Sequence, residues 1–197
     1  LFGGQFGALA LGFVPGQGGR DLGAMLSGGV EALWLLGADG FDPAAIAPGT
    51  FVIYQGHHGD RAASRADVIL PGAAYTEKDG TWLNTEGRPQ HGHMAVHAPG
   101  EAREDWRIIR AAGEALGVSL PFDDLAALRA AMPDFGAAFA ARGCTDTRSP
   151  AGDINALSHV PFALPIANYH LADSIARASE VMAQCAATSA PHAMAAE

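Results

Sequence analysis

The sequence contains little cysteine: only Cys144 and Cys185 occur among its 197 residues. An iron–sulfur cluster usually takes four cysteine ligands, so this chain by itself cannot hold a complete cluster. So few cysteines are typical of a reducing compartment, where disulfides are rare. We therefore favour two unpaired thiols over the alternative, a disulfide between them.

Positive charge is also scarce, and long apolar runs are absent. Lysine and arginine total 12 against 21 for aspartate and glutamate, which gives a formal charge of −9. Nucleic-acid binders need clustered cations for the phosphate backbone, so we expect no nucleic-acid partner. No apolar run approaches the roughly 20 residues that span a bilayer, and the start does not resemble a secretion signal. We expect a soluble chain without direct membrane insertion and, because Leu1 is not an initiator methionine, a piece of a longer polypeptide.

Three short apolar runs predict the strands of a sheet. They cover residues 32–36, 51–54 and 68–70, and they break at Gly37, Gly56 and Pro71. Runs this short with such boundaries are typical of buried strands. Residues 32–36 are apolar on both alternating faces, which predicts a strand covered on both sides, as in parallel sheets. The intervening residues suffice for crossovers, so we predict an α/β fold with an open, mainly parallel twisted sheet and flanking helices.

Local signals place several further elements. Asp79-Gly80 predicts the tight turn of a polar hairpin. Aspartates before short apolar stretches are predicted helix caps, at positions 21, 42 and either 123 or 124. Residues 101–117 predict a helix that packs one stripe on the sheet. That stripe contains Trp106, Ile109, Gly113 and Leu116.

The character of the sequence changes after Gly117. We predict an α/β module over residues 1–118, part of a larger domain begun upstream, and a helical and irregular C-terminal extension over residues 119–197. Residues 150–165 are expected to be irregular, and residues 186–197 disordered. A final helix from Asp173 is predicted to dock on another surface, of this module or of a neighbouring subunit. One stripe of that helix would carry Ile175, Ala178, Met182 and Cys185.

Two separated stretches resemble a known family. The first is QGHHGDRAASRADVILPGAAYTEKDGTWLNTEGRPQ at residues 55–90, which combines ADVILP with a following glutamate, Gly-Thr and Asn-x-Glu-Gly-Arg-x-Gln. The second is IANYHLADSIARASEVMAQC at residues 166–185. In this order they resemble the molybdopterin-oxidoreductase-like region and the C-terminal segment of the large iron–sulfur subunit of respiratory complex I, NADH:quinone oxidoreductase.

The resemblance implies a structural module that supports electron transfer from NADH to quinone without catalysis or a cluster of its own. Iron–sulfur clusters are expected in the N-terminal part of the parent subunit, and molybdopterin is expected to be absent. The implied partners are that upstream part and other peripheral-arm subunits of complex I. The implied location is the cytoplasmic face of a bacterial inner membrane or the mitochondrial matrix side.

Two other functions remain open. One is a fragment of a catalytic molybdopterin-dependent oxidoreductase similar to formate dehydrogenase. Such enzymes usually carry a further β-barrel domain, whereas residues 118–197 are predicted to be helical and irregular. The other is a nucleotide-binding α/β domain, which ranks lower because the Gly-x-Gly-x-x-Gly turn is missing.

Ligands of open α/β sheets bind at the carboxyl ends of the strands. Related molybdopterin enzymes, as the resemblance implies, hold the pterin in this crevice. We expect an empty or remodelled pocket, because fold alone does not carry function. Its candidate contacts are Gly37, Asp39, Gln55, Gly56, His57 and His58.

Histidines and carboxylates elsewhere offer weaker candidates. His91 and His93 alternate onto one side of an extended strand, but no cysteine or carboxylate stands at ligand spacing. We therefore predict no metal site and regard both as surface or turn histidines. Glu77, Asp79 and Glu86 are expected to be solvated charges that form local ion pairs with Lys78 and Arg88. No set of catalytic residues is visible.

Overall fold

The computed structural model describes residues 7–8, 11–84, 88–131, 166 and 168–188. Single turns of 3₁₀ helix connect many of its regular elements, at Pro43–Ala45, Arg61–Arg65, Tyr75–Glu77 and Tyr169–Leu171. The helices and strands are, in chain order, α1 (Leu22–Leu26), β1 (Ala32–Leu36), β2 (Phe51–Gly56), β3 (Val68–Pro71), β4 (Gly80–Leu83), β5 (Pro89–Gly92), α2 (Asp105–Ala115), α3 (Leu125–Ala130), α4 (Ser174–Ala178) and α5 (Glu180–Thr188). No helix among the described residues is both long and apolar enough to cross a membrane.

The first three strands form a parallel sheet in the order β1-β2-β3. Leu33 pairs with Val52 and Ile53 with Val68, so the register is continuous across the sheet. The prediction of three parallel strands in an α/β fold is confirmed. The helical segments in the two crossovers are short, and both are 3₁₀ helix.

The core lies on one face of this sheet. Leu33 and Leu35 of β1 and Val52 and Tyr54 of β2 are buried there. The core is completed by Leu26, Ile46, Ala62 and Ala63. The predicted burial of β1 on both faces is wrong for the described residues, since Trp34 is only half-buried. On the opposite face, Gln55 at the end of β2 is buried and bonds to Asp105 at the N-terminus of α2.

Strands β4 and β5 form an antiparallel hairpin, with Gly80 opposite Gly92 and Thr81 opposite His91. The predicted turn at Asp79-Gly80 is wrong, because Gly80 begins β4. The chain reverses between Asn84 and Arg88, where the Arg88 N–H donates to Asn84 Oδ1 at 2.9 Å. The Trp82 ring lies against Gly80: a Cβ at position 80 would lie 2.5 Å from the far end of that ring, which would have to move.

Helix α2 begins at Asp105, four residues later than predicted, and it does not pack the predicted stripe on the sheet. Ile109 is 38% exposed and Leu116 is 77% exposed. The segment after the helix covers part of its surface instead. Arg110 Nε donates to the Phe122 carbonyl at 2.8 Å, and the Phe122 ring lies edge-on to Trp106.

Aspartate side chains cap several helices, as predicted. Asp21, Asp42 and Asp124 each accept a hydrogen bond from a backbone N–H two or three residues later. Asp173 does the same for α4, by accepting from the Ala176 N–H at 2.9 Å. These bonds satisfy donors that a helix start leaves unpaired.

The single predicted C-terminal helix is two helices. The chain leaves helical geometry at Ser179, where φ is −86° and ψ is 121°, and α5 begins at the next residue. Helix α5 continues to Thr188, so the first three residues of the stretch predicted to be disordered are helical. Cys144, residues 150–165 and the last nine residues lie outside the described part, while Cys185 is a free thiol. The domain boundary at residue 118 stays a prediction.

We expect Leu35→Ala to destabilise this chain by about 2–5 kcal/mol, because it leaves a cavity in the core. Leu35 is 3% exposed, whereas its neighbour Leu36 is 51% exposed. Leu36→Ala is therefore a matched control, expected to change stability by less than about 0.5 kcal/mol. Urea unfolding measures both variants, and equal losses would contradict the one-sided core.

Candidate functional site

The carboxyl ends of the parallel strands lie side by side. The Gly37 N–H donates to the Gln55 carbonyl and the Gly72 N–H donates to the Gly56 carbonyl, both at 2.8 Å. Gly37 has a φ of 57°, in the left-handed region that favours glycine. The structure therefore places Gly37, Gln55 and Gly56 at one edge of the sheet, as predicted.

Asp39 follows β1 and lies buried beneath this edge, with 8% of its surface exposed. The Tyr54 hydroxyl donates to Asp39 Oδ2 at 3.0 Å. The Ala62 backbone N–H donates to Asp39 Oδ1 at 3.3 Å. Both oxygens of the carboxylate thus have a donor from the protein, and Asp39 joins β2 to the crossover that follows it.

Burial raises the pKa of Tyr54 to about 12, and the hydrogen bond to Asp39 and the charge of Asp39 add to the increase. A phenolate at this position would face the Asp39 carboxylate in a buried environment. Tyr54 therefore remains a hydroxyl donor at neutral pH, which keeps its bond to Asp39 intact.

Gln55 is fully buried on the other face of the sheet. Its Oε1 accepts from Trp34 Nε1 at 3.1 Å, and its Nε2 donates to Asp105 Oδ1 at 2.9 Å. The second oxygen of Asp105 pairs with Lys78. One amide therefore connects β1, β2 and the start of α2, and the carboxylate of Asp105 extends the connection to the segment before β4.

His57 and His58 follow β2 and are the exposed members of the predicted site. Their rings meet edge-on with centroids 4.8 Å apart. Partial burial lowers the pKa of His57, and the neighbouring charges of His58 and Lys78 lower it further. The His57 ring is therefore suited to neutral contacts more than to holding a negatively charged group.

The C-terminal extension lies against this edge. Ile175, Ser179 and Met182 line one groove together with His57 and Tyr75. Arg177 Nε donates to Asp60 Oδ2, and only 12% of the Asp60 side chain is exposed. The predicted docking of the tail is confirmed for α4, and the surface it contacts belongs to this chain.

The crevice residues do not fit a pterin cofactor. Recognition of a pterin requires donors and acceptors that point toward the ligand, whereas the buried side chains of Asp39 and Gln55 are already bonded to protein groups. Within the described residues, every buried side-chain nitrogen and oxygen has a hydrogen-bond partner. The Gly37 N–H and the Gly56 carbonyl are likewise bonded within the sheet, so the two histidines are the predicted contacts whose side chains face solvent.

The predicted local ion pairs of the carboxylates are mostly wrong. Glu77 accepts from the Ala74 N–H at 2.9 Å and closes its own 3₁₀ turn. Lys78 pairs with Asp105, 27 residues away, instead of with a neighbour in sequence. Asp79 Oδ1 lies 3.1 Å from His93 Nδ1. Glu86 lies outside the described part of the chain.

Asp105 bonds to Gln55 and pairs with Lys78, and the sequence analysis did not predict this role. It lies 50 residues from Gln55, and no motif connects the two positions. The available signal was its place in the first turn of a helix, where carboxylates are common because of the helix dipole.

Comparison with known proteins identifies the family of this chain. A family model described as molybdopterin oxidoreductase matches residues 2–115, more than half of the chain. The chain belongs to the molybdopterin oxidoreductase family. A second model, described as the C-terminal part of an NADH-ubiquinone oxidoreductase subunit, matches residues 144–185. The resemblance to the large iron–sulfur subunit of complex I is thereby confirmed at both of its stretches.

Individual relatives carry names of the same kind of subunit. The mitochondrial NADH-ubiquinone oxidoreductase 78 kDa subunit of Neurospora crassa is 45% identical over 169 residues, which are 79% of this chain and 22% of that protein. The mitochondrial NADH dehydrogenase (ubiquinone) iron-sulfur protein 1 of Solanum tuberosum is 39% identical over 93% of this chain and 25% of its own length. The chain thus spans about a quarter of the length of these curated relatives.

We expect Tyr54→Phe to destabilise the chain by about 1–3 kcal/mol at neutral pH, because it leaves the buried Asp39 Oδ2 without its donor. Tyr75→Phe is the matched control, since Tyr75 is 60% exposed, and it should have little effect. The folded pKa of Tyr54 lies above the ordinary value of 10.0, so the bond contributes fully below pH 10 and its contribution declines toward pH 12. The gap between wild type and Tyr54→Phe in urea unfolding should therefore narrow above pH 10, and a constant gap would contradict the assignment.

Proposed function

We propose that this chain is a structural module of the large iron–sulfur subunit of complex I. It would support electron transfer from NADH to quinone by fixing the position of the cluster-bearing part of the same subunit. Electron transfer between redox centres slows steeply with distance, so a rigid support contributes to turnover without touching an electron. Two cysteines are too few for a cluster, which agrees with clusters held elsewhere in the parent protein.

The observation that carries this proposal is the state of the crevice at the carboxyl edge of the sheet. In this family fold the edge is where a ligand would be expected, yet the side chains of Asp39 and Gln55 are bonded to Tyr54, Trp34 and Asp105. The same groups that would orient a cofactor instead join strands to helices. We infer that the fold is used here for support and that molybdopterin is absent.

The location and partners follow from the same proposal. The relatives carry names of mitochondrial subunits of NADH-ubiquinone oxidoreductase. We infer that this chain lies in the peripheral arm of such a membrane-bound complex, on the matrix side or on the cytoplasmic face of a bacterial membrane. Its partners would be the upstream part of its own subunit and other peripheral-arm subunits.

Asp105→Ala in the parent subunit tests the supporting role. The substitution removes the acceptor for both Gln55 and Lys78, so we expect several-fold less assembled complex with unchanged NADH:quinone activity per assembled complex. Glu101→Ala is the control, because its carboxylate is 89% exposed and its loss should affect neither quantity. Native gels quantify the assembled complex, and activity is normalised to that amount. Normal assembly with low activity per complex would contradict a purely structural role.

Elemental analysis of the natively purified full-length protein tests the catalytic alternative. We expect neither molybdenum nor tungsten at a level approaching one atom per chain. Iron measured in the same sample is the positive control, because it shows that the cluster-bearing part has been retained. One molybdenum or tungsten atom per chain would favour a catalytic molybdopterin oxidoreductase.

A further inference from the structure

The β4–β5 hairpin collects a set of metal-binding side chains that are far apart in sequence. Gly80 lies opposite Gly92 in the register, so one step further along the ladder Asp79 faces His93. Side chains alternate between the two faces of a strand, which places Asp79, Thr81, His91 and His93 on the face opposite to Trp82. The Trp82 ring lies over the two glycines, Gly80 and Gly92, on its own face of the hairpin.

We propose that Asp79, His91 and His93 form a binding site for a divalent transition-metal ion, with Zn²⁺ as the best match. One ligand atom from each residue lies within 4.8 Å of the others, and the two imidazole rings have centroids 4.6 Å apart. Two ligands of a tetrahedral zinc ion lie about 3.4 Å apart, given bonds of about 2.0–2.1 Å. Small side-chain rotations close the difference, because the His93 side chain is 82% exposed.

The ligand chemistry selects the metal class. Two imidazoles and one carboxylate suit zinc and its late transition-metal neighbours, whereas Mg²⁺ and Ca²⁺ prefer sets made of oxygen alone. Three protein ligands leave a fourth position for water. The sequence-based expectation of no metal site depended on the lack of a cysteine or carboxylate at ligand spacing. The hairpin brings Asp79 to His93, 14 residues away, a proximity that sequence spacing does not reveal.

Arg129 is a cation beside the cluster, and its Nη2 lies 3.5 Å from His91 Nδ1. Its charge opposes a bound cation, so it should lower the affinity of the site. It also connects α3 to the hairpin. The predicted role of the ion is structural, since a two-stranded hairpin alone is marginally stable and a metal ion that bridges both strands would stabilise it.

A zinc titration tests the proposal. The full-length protein is stripped of metal with a chelator and then titrated with zinc in the presence of a chromophoric competitor. We expect the number of zinc ions bound per chain to be lower by one in His91→Gln and in His93→Gln than in wild type. Asp79→Asn should weaken that site at least about tenfold, since even outer-shell changes at metal sites cost about 10–100-fold. His97→Gln is the matched control: it removes an exposed imidazole close by in sequence and should leave binding unchanged. Arg129→Gln should tighten binding.

Two further measurements keep the test independent of folding. Circular dichroism without zinc should be the same for all variants, because the substituted side chains are at least partly exposed. Zinc should raise the unfolding temperature of wild type and His97→Gln but not of His93→Gln, and Mg²⁺ should raise none. Equal zinc stoichiometry and affinity in wild type and all three ligand variants would overturn the proposal.

Discussion

The buried amide of Gln55 is the interaction on which the arrangement of the other elements depends. It accepts from Trp34 of β1 and donates to Asp105 at the start of α2. Asp105 then holds Lys78, which precedes the hairpin. A buried amide without partners would cost about 1–3 kcal/mol for each missing bond, so the sheet, α2 and the approach to β4 are constrained to keep their relative positions.

A second buried polar group fixes the other face in a similar way. Asp39 joins Tyr54 and the crossover before β3, beside the apolar side chains of the core. The two networks bond the buried side chains of Asp39 and Gln55, next to the carboxyl edge of the sheet, to groups of the same chain. Helix α4 also packs on this edge, where Arg177 Nε donates to Asp60 Oδ2.

Much of the sheet followed from the sequence, because short apolar runs between glycines and prolines have few other ways to be buried. The aspartate caps were equally predictable, since their partners lie two or three residues away. The turn predicted at Asp79-Gly80 was wrong because Gly80 pairs with Gly92 as the first residue of β4, a long-range pairing that a dipeptide pattern does not reveal. That error also hid the approach of Asp79 to His93. The bond between Gln55 and Asp105 left no local pattern, because it depends on how the chain returns after 50 residues.

The two edges of the parallel sheet differ in what they can accept. Next to β3, the Arg103 N–H donates to the Pro71 carbonyl and the Ala73 N–H donates to the Arg103 carbonyl, so that side is already occupied at its carboxyl end. Along β1, the described residues include no partner on the outer side. The sheet can therefore grow readily in one direction only. A parallel strand added beside β1 would bring its own carboxyl end next to Gly37 and contribute new side chains to that rim.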